Sequence, residues 1–157
     1  MMFLVGCGKK TYTKPILSDI EFDMDVTYYN EKYSAKGSID GDNKLTLKIL
    51  EPAELKNMKF TVYGDDIEIN YKGLTYKPNE NMILSSAVGL FYTAMNDLKT
   101  DSAKIEYGEK NYSVSVKNKQ GEVFMNFSPS GLPLDIKYSS GVFYAEFSDI
   151  KALKMNK

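Results

Sequence analysis

The side chains able to do chemistry in this chain are few in kind. All 20 basic residues among its 157 are lysines, and histidine is absent. Without an imidazole there is no Ser-His-Asp relay, and zinc loses its usual ligand. Without arginine there is no bidentate fork for carboxylates or phosphates. The 21 carboxylates are interspersed with the lysines, and a net charge of −1 offers nucleic acid nothing to hold. Asp23 and Asp25 stand on the polar side of an alternating stretch, the pattern of a solvated strand face. Nothing pairs them with a further acid, as glycosidase chemistry needs. Asp40-Gly41-Asp42-Asn43 suggests calcium, but an EF-hand loop spreads its ligands over about twelve positions and closes with Glu. Leu45, Leu47 and Ile49 follow instead, so the segment reads as a hairpin turn. Ser148-Asp149-Ile150-Lys151 matches Ser-x-x-Lys in form only, because in acyl-enzymes that serine opens a helix well upstream of two further motifs. Gly-x-Ser-x-Gly, the phosphate-binding loop and Gly-x-Gly-x-x-Gly after a strand are all missing. Asn126-Phe127-Ser128 has meaning for glycosylation only in a eukaryotic secretory setting. The expectation is a protein that is not an enzyme and that uses no cofactor and no metal.

One residue does carry a chemical signal. Cys7, the single cysteine, has no internal disulfide partner. It closes Leu4-Val5-Gly6-Cys7, which resembles a bacterial lipobox, the motif at which a signal peptide is cut and the cysteine is lipid-modified. Gly8 to Lys14 then reads as a polar tether. The expected organisation is lipobox and tether over 1–15 and one domain over 16–157, anchored outside the cytoplasm to the bacterial cell membrane through Cys7.

The elements that must position any site are mostly strands. The exception is Ile83 to Leu98, where Ile83, Ala87, Leu90, Phe91, Ala94, Met95 and Leu98 form one apolar stripe at helical period. A lone helix of this length is marginal in water, so something must cover the stripe. Ser85 or Asn81 is the expected cap, with the start near Ser85. Gly89 costs about 1 kcal/mol relative to alanine and suggests close approach of a strand. Ser18 to Asn30 alternates through Ile20, Phe22, Met24, Val26 and Tyr28, and Glu31-Lys32 is read as the turn into Tyr33 to Asp40. Leu45–Leu50, Lys59–Tyr63 and Ile67–Tyr71 continue the series, with Pro52 to Met58 a short connection and Gly73 to Asn81 a loop. After the helix come Ala103–Tyr107, Tyr112–Lys117, Glu122–Ser128, Leu134–Ser139 and Val142–Phe147, then a short helical piece over Ile150–Met155. Joins this short make antiparallel neighbours. The expected fold is mainly β: a strongly curved antiparallel sheet of about ten strands, an incomplete barrel, wrapped around one central helix.

Two stretches carry a family resemblance. Glu122 to Ile150, with Gly131-Leu132-Pro133 between two strands and Ala145-Glu146-Phe147-Ser148-Asp149 in the last, resembles the closing strands of the LolA/LolB-like lipoprotein-carrier superfamily. Leu50-Glu51-Pro52-Ala53-Glu54-Leu55, Phe60-Thr61-Val62 and Tyr71-Lys72-Gly73-Leu74 resemble small Gram-positive lipoproteins of that fold. The resemblance implies a curved half-barrel with an apolar cavity that accepts acyl chains. The family's best-known carriers use more closing helices and a switching arginine, which this chain lacks.

The expected ligand surface is the inward set Phe22, Met24, Val26, Leu47, Ile49, Val62, Ile69, Met125, Phe127, Ile136, Phe143 and Phe147, with Leu90, Phe91 and Met95 from the helix. Met suits apolar surfaces that adapt to their ligands, and small-molecule sites are mostly apolar concavities. The same residues also serve as plain core in any β-sheet. Two functions therefore follow. One is an anchored lipoprotein that binds a lipid or acyl chain between sheet and helix. The alternative is an anchored interaction module with a filled core, engaging a protein partner or a second copy through tyrosine-rich strands or a sheet edge.

Overall fold

In a computed structural model the structure describes residues 11–79 and 86–153. The clean alternation from Ile20 becomes β1 (Ile20–Tyr28), with Ile20, Phe22, Met24 and Val26 buried and Glu21 and Asp25 exposed. Tyr29 and Asn30, both at positive φ, make a tight turn into β2 (Glu31–Ile39). The turn thus sits two residues before the Glu31-Lys32 position expected, and those two residues open the strand. The remaining strands before the helix are β3 (Leu45–Glu51), β4 (Lys59–Tyr63), β5 (Asp66–Tyr71) and β6 (Leu74–Tyr76), with a 3-10 turn at Ala53–Leu55. Helix α1 (Ala87–Asp97) follows, then β7 (Lys104–Tyr107), β8 (Tyr112–Asn118), β9 (Gly121–Phe127), β10 (Pro133–Tyr138) and β11 (Phe143–Ala152).

All eleven strands lie in one antiparallel sheet of order β6-β5-β4-β3-β2-β1-β11-β10-β9-β8-β7. The two outermost strands do not pair with each other, so the sheet is an open half-barrel around the helix. Its middle seam joins the first and last strands, with Met24 opposite Phe147 and Tyr28 opposite Phe143. A register shift between Glu21 and Asp23, with Asp149 at positive φ, bends the seam.

Two further expectations are corrected. The loop expected over Gly73–Asn81 contains β6, because Lys72 and Gly73 turn the chain back to pair Leu74 with Tyr71. The helical piece expected over Ile150–Met155 is strand through Ala152, since Lys151 and Ala152 pair with Glu21 and Ile20. Residues 154–157 lie outside the described residues. The helix stripe is as expected from Ala87 onward, while Ile83 and the candidate caps Ser85 and Asn81 lie outside the described residues.

Ser86 caps the helix: its hydroxyl accepts from the Gly89 amide at 3.2 Å. Leu90, Phe91, Ala94 and Met95 are buried against the concave face of the sheet. Phe91 is seated among Phe22, Phe147 and Phe143, with ring centroids 6.2, 6.0 and 6.3 Å away. The Tyr138 hydroxyl donates to the Leu90 carbonyl at 2.8 Å from inside the core, and the Gly64 amide donates to the Tyr92 hydroxyl oxygen at 2.9 Å. These two bonds fix the rod to both wings of the sheet.

Candidate functional site

The candidate site is an apolar hollow under the first turns of α1. Its floor is made by Met24, Val26, Ala35, Leu47, Ile49, Phe91 and Phe143, all buried. Its rim is made by the half-buried Tyr28, Tyr33, Leu55, Met58, Phe60, Ala87 and Val88, with Ser86 supplying a hydroxyl. The volume is about 250 Å³. Among the described residues the lining contains no carboxylate and no lysine.

The local sequence explains why space is left here. Along β2 the inward positions are Tyr33, Ala35, Gly37 and Ile39. The Phe22 ring lies over Gly37, where an added Cβ would sit 2.5 Å from the ring. Ala35, paired with Met24 and Ile49, leaves the neighbouring place unfilled. Small residues side by side on one strand thus divide the concave face into a packed half and a hollow half. Burial, with the phenols of Tyr29 and Tyr33 nearby, holds the Tyr28 pKa above its ordinary value, so its hydroxyl stays neutral.

Of the fifteen residues expected to form the ligand surface, Met24, Val26, Leu47, Ile49, Phe91 and Phe143 come together at the hollow. Phe22, Val62, Leu90, Met95, Met125, Phe127 and Ile136 are buried in the solid part of the core. Phe147 is half-buried and packs on Phe22 with ring centroids 5.2 Å apart. Ile69 lies farther out on β5, opposite Tyr76 of the edge strand. Sequence reasoning left out Tyr28, Tyr33, Ala35, Leu55, Met58, Phe60, Ala87 and Val88 from the site. The inward parity of Tyr28, Tyr33 and Ala35 was a usable signal. Leu55 and Met58 lie in an aperiodic connection that gives none.

The polar groups singled out in the sequence take structural places. Asp40 accepts at Oδ1 from the Asp42 and Lys44 amides at 3.0 and 2.9 Å, which makes the segment a hairpin turn. Asp25 accepts from the Ser34 hydroxyl at 2.8 Å and Asp23 faces Lys36 at 3.8 Å, both on the outer face. Lys151 is bonded to Asp149 at 2.9 Å, and Ser148 is an exposed strand residue. Among the described residues no group of three potential metal ligands comes together, and no helix is long and apolar enough to cross a membrane.

Cys7 and residues 8–10 lie outside the described residues, but the segment from Tyr12 to Ile16 is docked. The Thr13 amide donates to the Pro129 carbonyl and the Ile16 amide to the Gly131 carbonyl, both at 2.8 Å. The Tyr12 hydroxyl donates to the Gly108 carbonyl at 2.6 Å, and the Tyr112 hydroxyl to the Thr13 carbonyl at 2.6 Å. Gly131, at φ 86°, is required here: an added Cβ would sit 2.3 Å from the Lys14 carbonyl oxygen. The Gly-x-Pro turn therefore receives the tether.

No family model matches this chain, and no curated protein sequence matches it. Solved structures do. An uncharacterized conserved protein of Thermus thermophilus is similar over 90% of this chain and 82% of its own, at 7% identity and a TM-score of 0.59. A LolA superfamily protein of Nitrosomonas europaea is similar over 90% of this chain and 89% of its own, at 11% identity and a TM-score of 0.50. An open antiparallel half-barrel, one helix seated in its concave face and a match across nine-tenths of the chain lead to one conclusion: this chain has the LolA-like fold.

Proposed function

We propose that the protein is a non-enzymatic lipoprotein, lipid-anchored at Cys7 outside the cytoplasm, that binds an acyl chain in the hollow between α1 and the sheet. The observation that carries this reading is the hollow itself: an apolar floor and rim, with no charged group among the described residues that line it, in a fold shared with a LolA superfamily protein. At ~30 Å³ for a water-sized group, the hollow holds about eight such groups, a short run of methylenes. Each buried methylene contributes about 0.8 kcal/mol, so eight contribute about 6 kcal/mol before the cost of association. That is a grip on part of a chain, suited to release as well as capture.

The test is displacement of a fluorescent acyl probe from the purified protein by alkyl chains of increasing length. Affinity should rise about fourfold per methylene up to about eight and then flatten. Ala35→Phe, which fills the hollow, should abolish probe binding while the melting temperature holds. Length-independent displacement, or an Ala35→Phe variant that still binds, defeats the reading. Cys7→Ser should release the protein from membranes.

One observation favours the interaction module as a second reading. On edge strand β6, Leu74 is 75% exposed and Tyr76 55%, on the same face as Ile69. A protein that forms dimers through this wing and shows no length-dependent acyl binding would support it.

A further inference from the structure

The outer side of β7 is a row of backbone groups that no described strand pairs. All four of its residues, Lys104, Ile105, Glu106 and Tyr107, are exposed. The hairpin to β8 fixes which of them face outward. The Gly108 amide donates to the Asn111 carbonyl at 2.9 Å and closes the turn. Bonded positions alternate along an antiparallel ladder, so Glu106 and Lys104 direct their backbone groups to Ser113 and Ser115. Ile105 and Tyr107 direct theirs away from the sheet. The side chains of Ile105 and Tyr107 share the concave face with the buried Val114 and Tyr112. Those of Lys104 and Glu106 stand on the convex face.

We propose that this edge pairs with the same edge of a second copy, joining two half-barrels into one sheet about a two-fold axis through Ile105. Two arguments carry it. The first is register. Only outward-directed positions can stand opposite one another across the new pairing, so the axis must pass through a residue. An axis through Lys104 sets Lys104 against itself, and one through Glu106 sets Glu106 against itself. An axis through Tyr107 sets Lys104 against Lys110. The axis through Ile105 sets Lys104 against the second copy's Glu106 on both sides of an Ile105 pair. Opposite charges facing across strands stabilise a pairing and like charges oppose it. In this register Ile105 exchanges both backbone bonds with its counterpart, and the Tyr107 amide donates to the second copy's Ala103 carbonyl. The Ala103 amide is already held by the Thr100 carbonyl at 3.1 Å. Past the strand ends Glu109 comes into line with the second copy's Asp101, with Lys110 and Lys99 close by in the same turns.

The second argument is shape. A groove of about 350 Å³ runs beside β7, lined by Leu17, Leu98, Ala103, Ile105 and Val114, with Lys14 and Lys99 also on its wall. Tyr107 is 63% exposed and is backed by Tyr12, with ring centroids 4.9 Å apart. In the Ile105-centred register Tyr107 stands opposite the second copy's Ala103, so the free face of its ring meets that copy's groove. The two-fold axis repeats the contact on the other side. An aromatic ring supplies most of the apolar burial in so short an interface. The acyl-binding hollow lies in the other wing and stays open, so this inference stands apart from acyl binding and from any contact at β6.

The test is sedimentation velocity of the full chain, kept reduced, over about 5 to 500 µM. A short edge contact should give a dimer half-formed at roughly 10–100 µM. Glu106→Lys, which sets lysine against lysine, should raise that midpoint about tenfold, and Lys104→Glu should do the same. Combining the two exchanges should restore the dimer. Leu74→Lys on β6 should leave it unchanged. The register is read in a Cys7→Ser background. There Ile105→Cys should oxidise to a covalent dimer and Glu106→Cys should not, since its Cα lies about 8 Å from its counterpart. A monomer at every concentration overturns the inference and means that the edge stays free or is covered by the chain's own ends. Growth beyond a dimer overturns it too, as does a double exchange that fails to restore association. Crosslinking through Glu106→Cys in place of Ile105→Cys rules out this register. Loss of the dimer in Leu74→Lys would move the contact to β6. None of these outcomes bears on displacement of the acyl probe.

Discussion

At the scale of residues, the site is made as much by what is missing as by what is present. Gly37 lies under the Phe22 ring, with Leu47 Cδ2 also 2.8 Å from where its Cβ would be. Gly37→Ala should therefore cost about 1–3 kcal/mol, the usual range for overpacking, read as a lowered urea midpoint with unchanged slope. An unaffected midpoint would mean that the ring moves aside freely. The neighbouring Ala35 faces open space, so the same kind of enlargement there should be tolerated. The alternation of β2 puts both residues on the inward face. It did not reveal that one position is crowded and the next is not, because that depends on the Phe22 ring crossing from the adjacent strand. For the same reason alternation could gather an inward set but could not say that only six of its members meet at the hollow.

At the scale of elements, legibility followed the strength of the period. Strands with one buried face, such as β1 and β8–β9, stood out because their pattern repeats every two residues. β6 was passed over because all three of its residues are exposed and carry no alternation. The end of β11 was misread because its last inward positions are only partly covered, so its pattern fades where the seam bends. The helix was legible from its stripe, and its cap fell on the serine beside the expected one. Ser86→Ala should cost about 1 kcal/mol by leaving the Gly89 amide without its acceptor, measured as a drop in melting temperature. Since Ser86 also touches the hollow, the variant separates helix stability from acyl binding if the second is retained after the first declines.

At the scale of the whole molecule, the tyrosines tie distant segments together through neutral phenols. Burial and the neighbouring Tyr107 phenol push the Tyr112 pKa up to about 12, and the bonded Glu146 carboxylate holds Tyr144 at about 12. In the unfolded chain both titrate near 10. The folded chain thus keeps protons that the unfolded chain gives up between about pH 10 and pH 12, so stability is full below that window and falls as pH climbs through it. Denaturant midpoints should hold to about pH 10 and then decline, less steeply in Tyr112→Phe. The strand order has a further consequence, for the order of events in folding. Each wing is a relay of hairpins whose partners are close along the chain, whereas the central seam joins Met24 to Phe147, about 120 residues apart. Closing so large a loop is the slowest kind of contact to make. A chain leaving a ribosome or a translocation pore head first can zip up its early hairpins, but the sheet stays in two pieces until the final strand has cleared the exit.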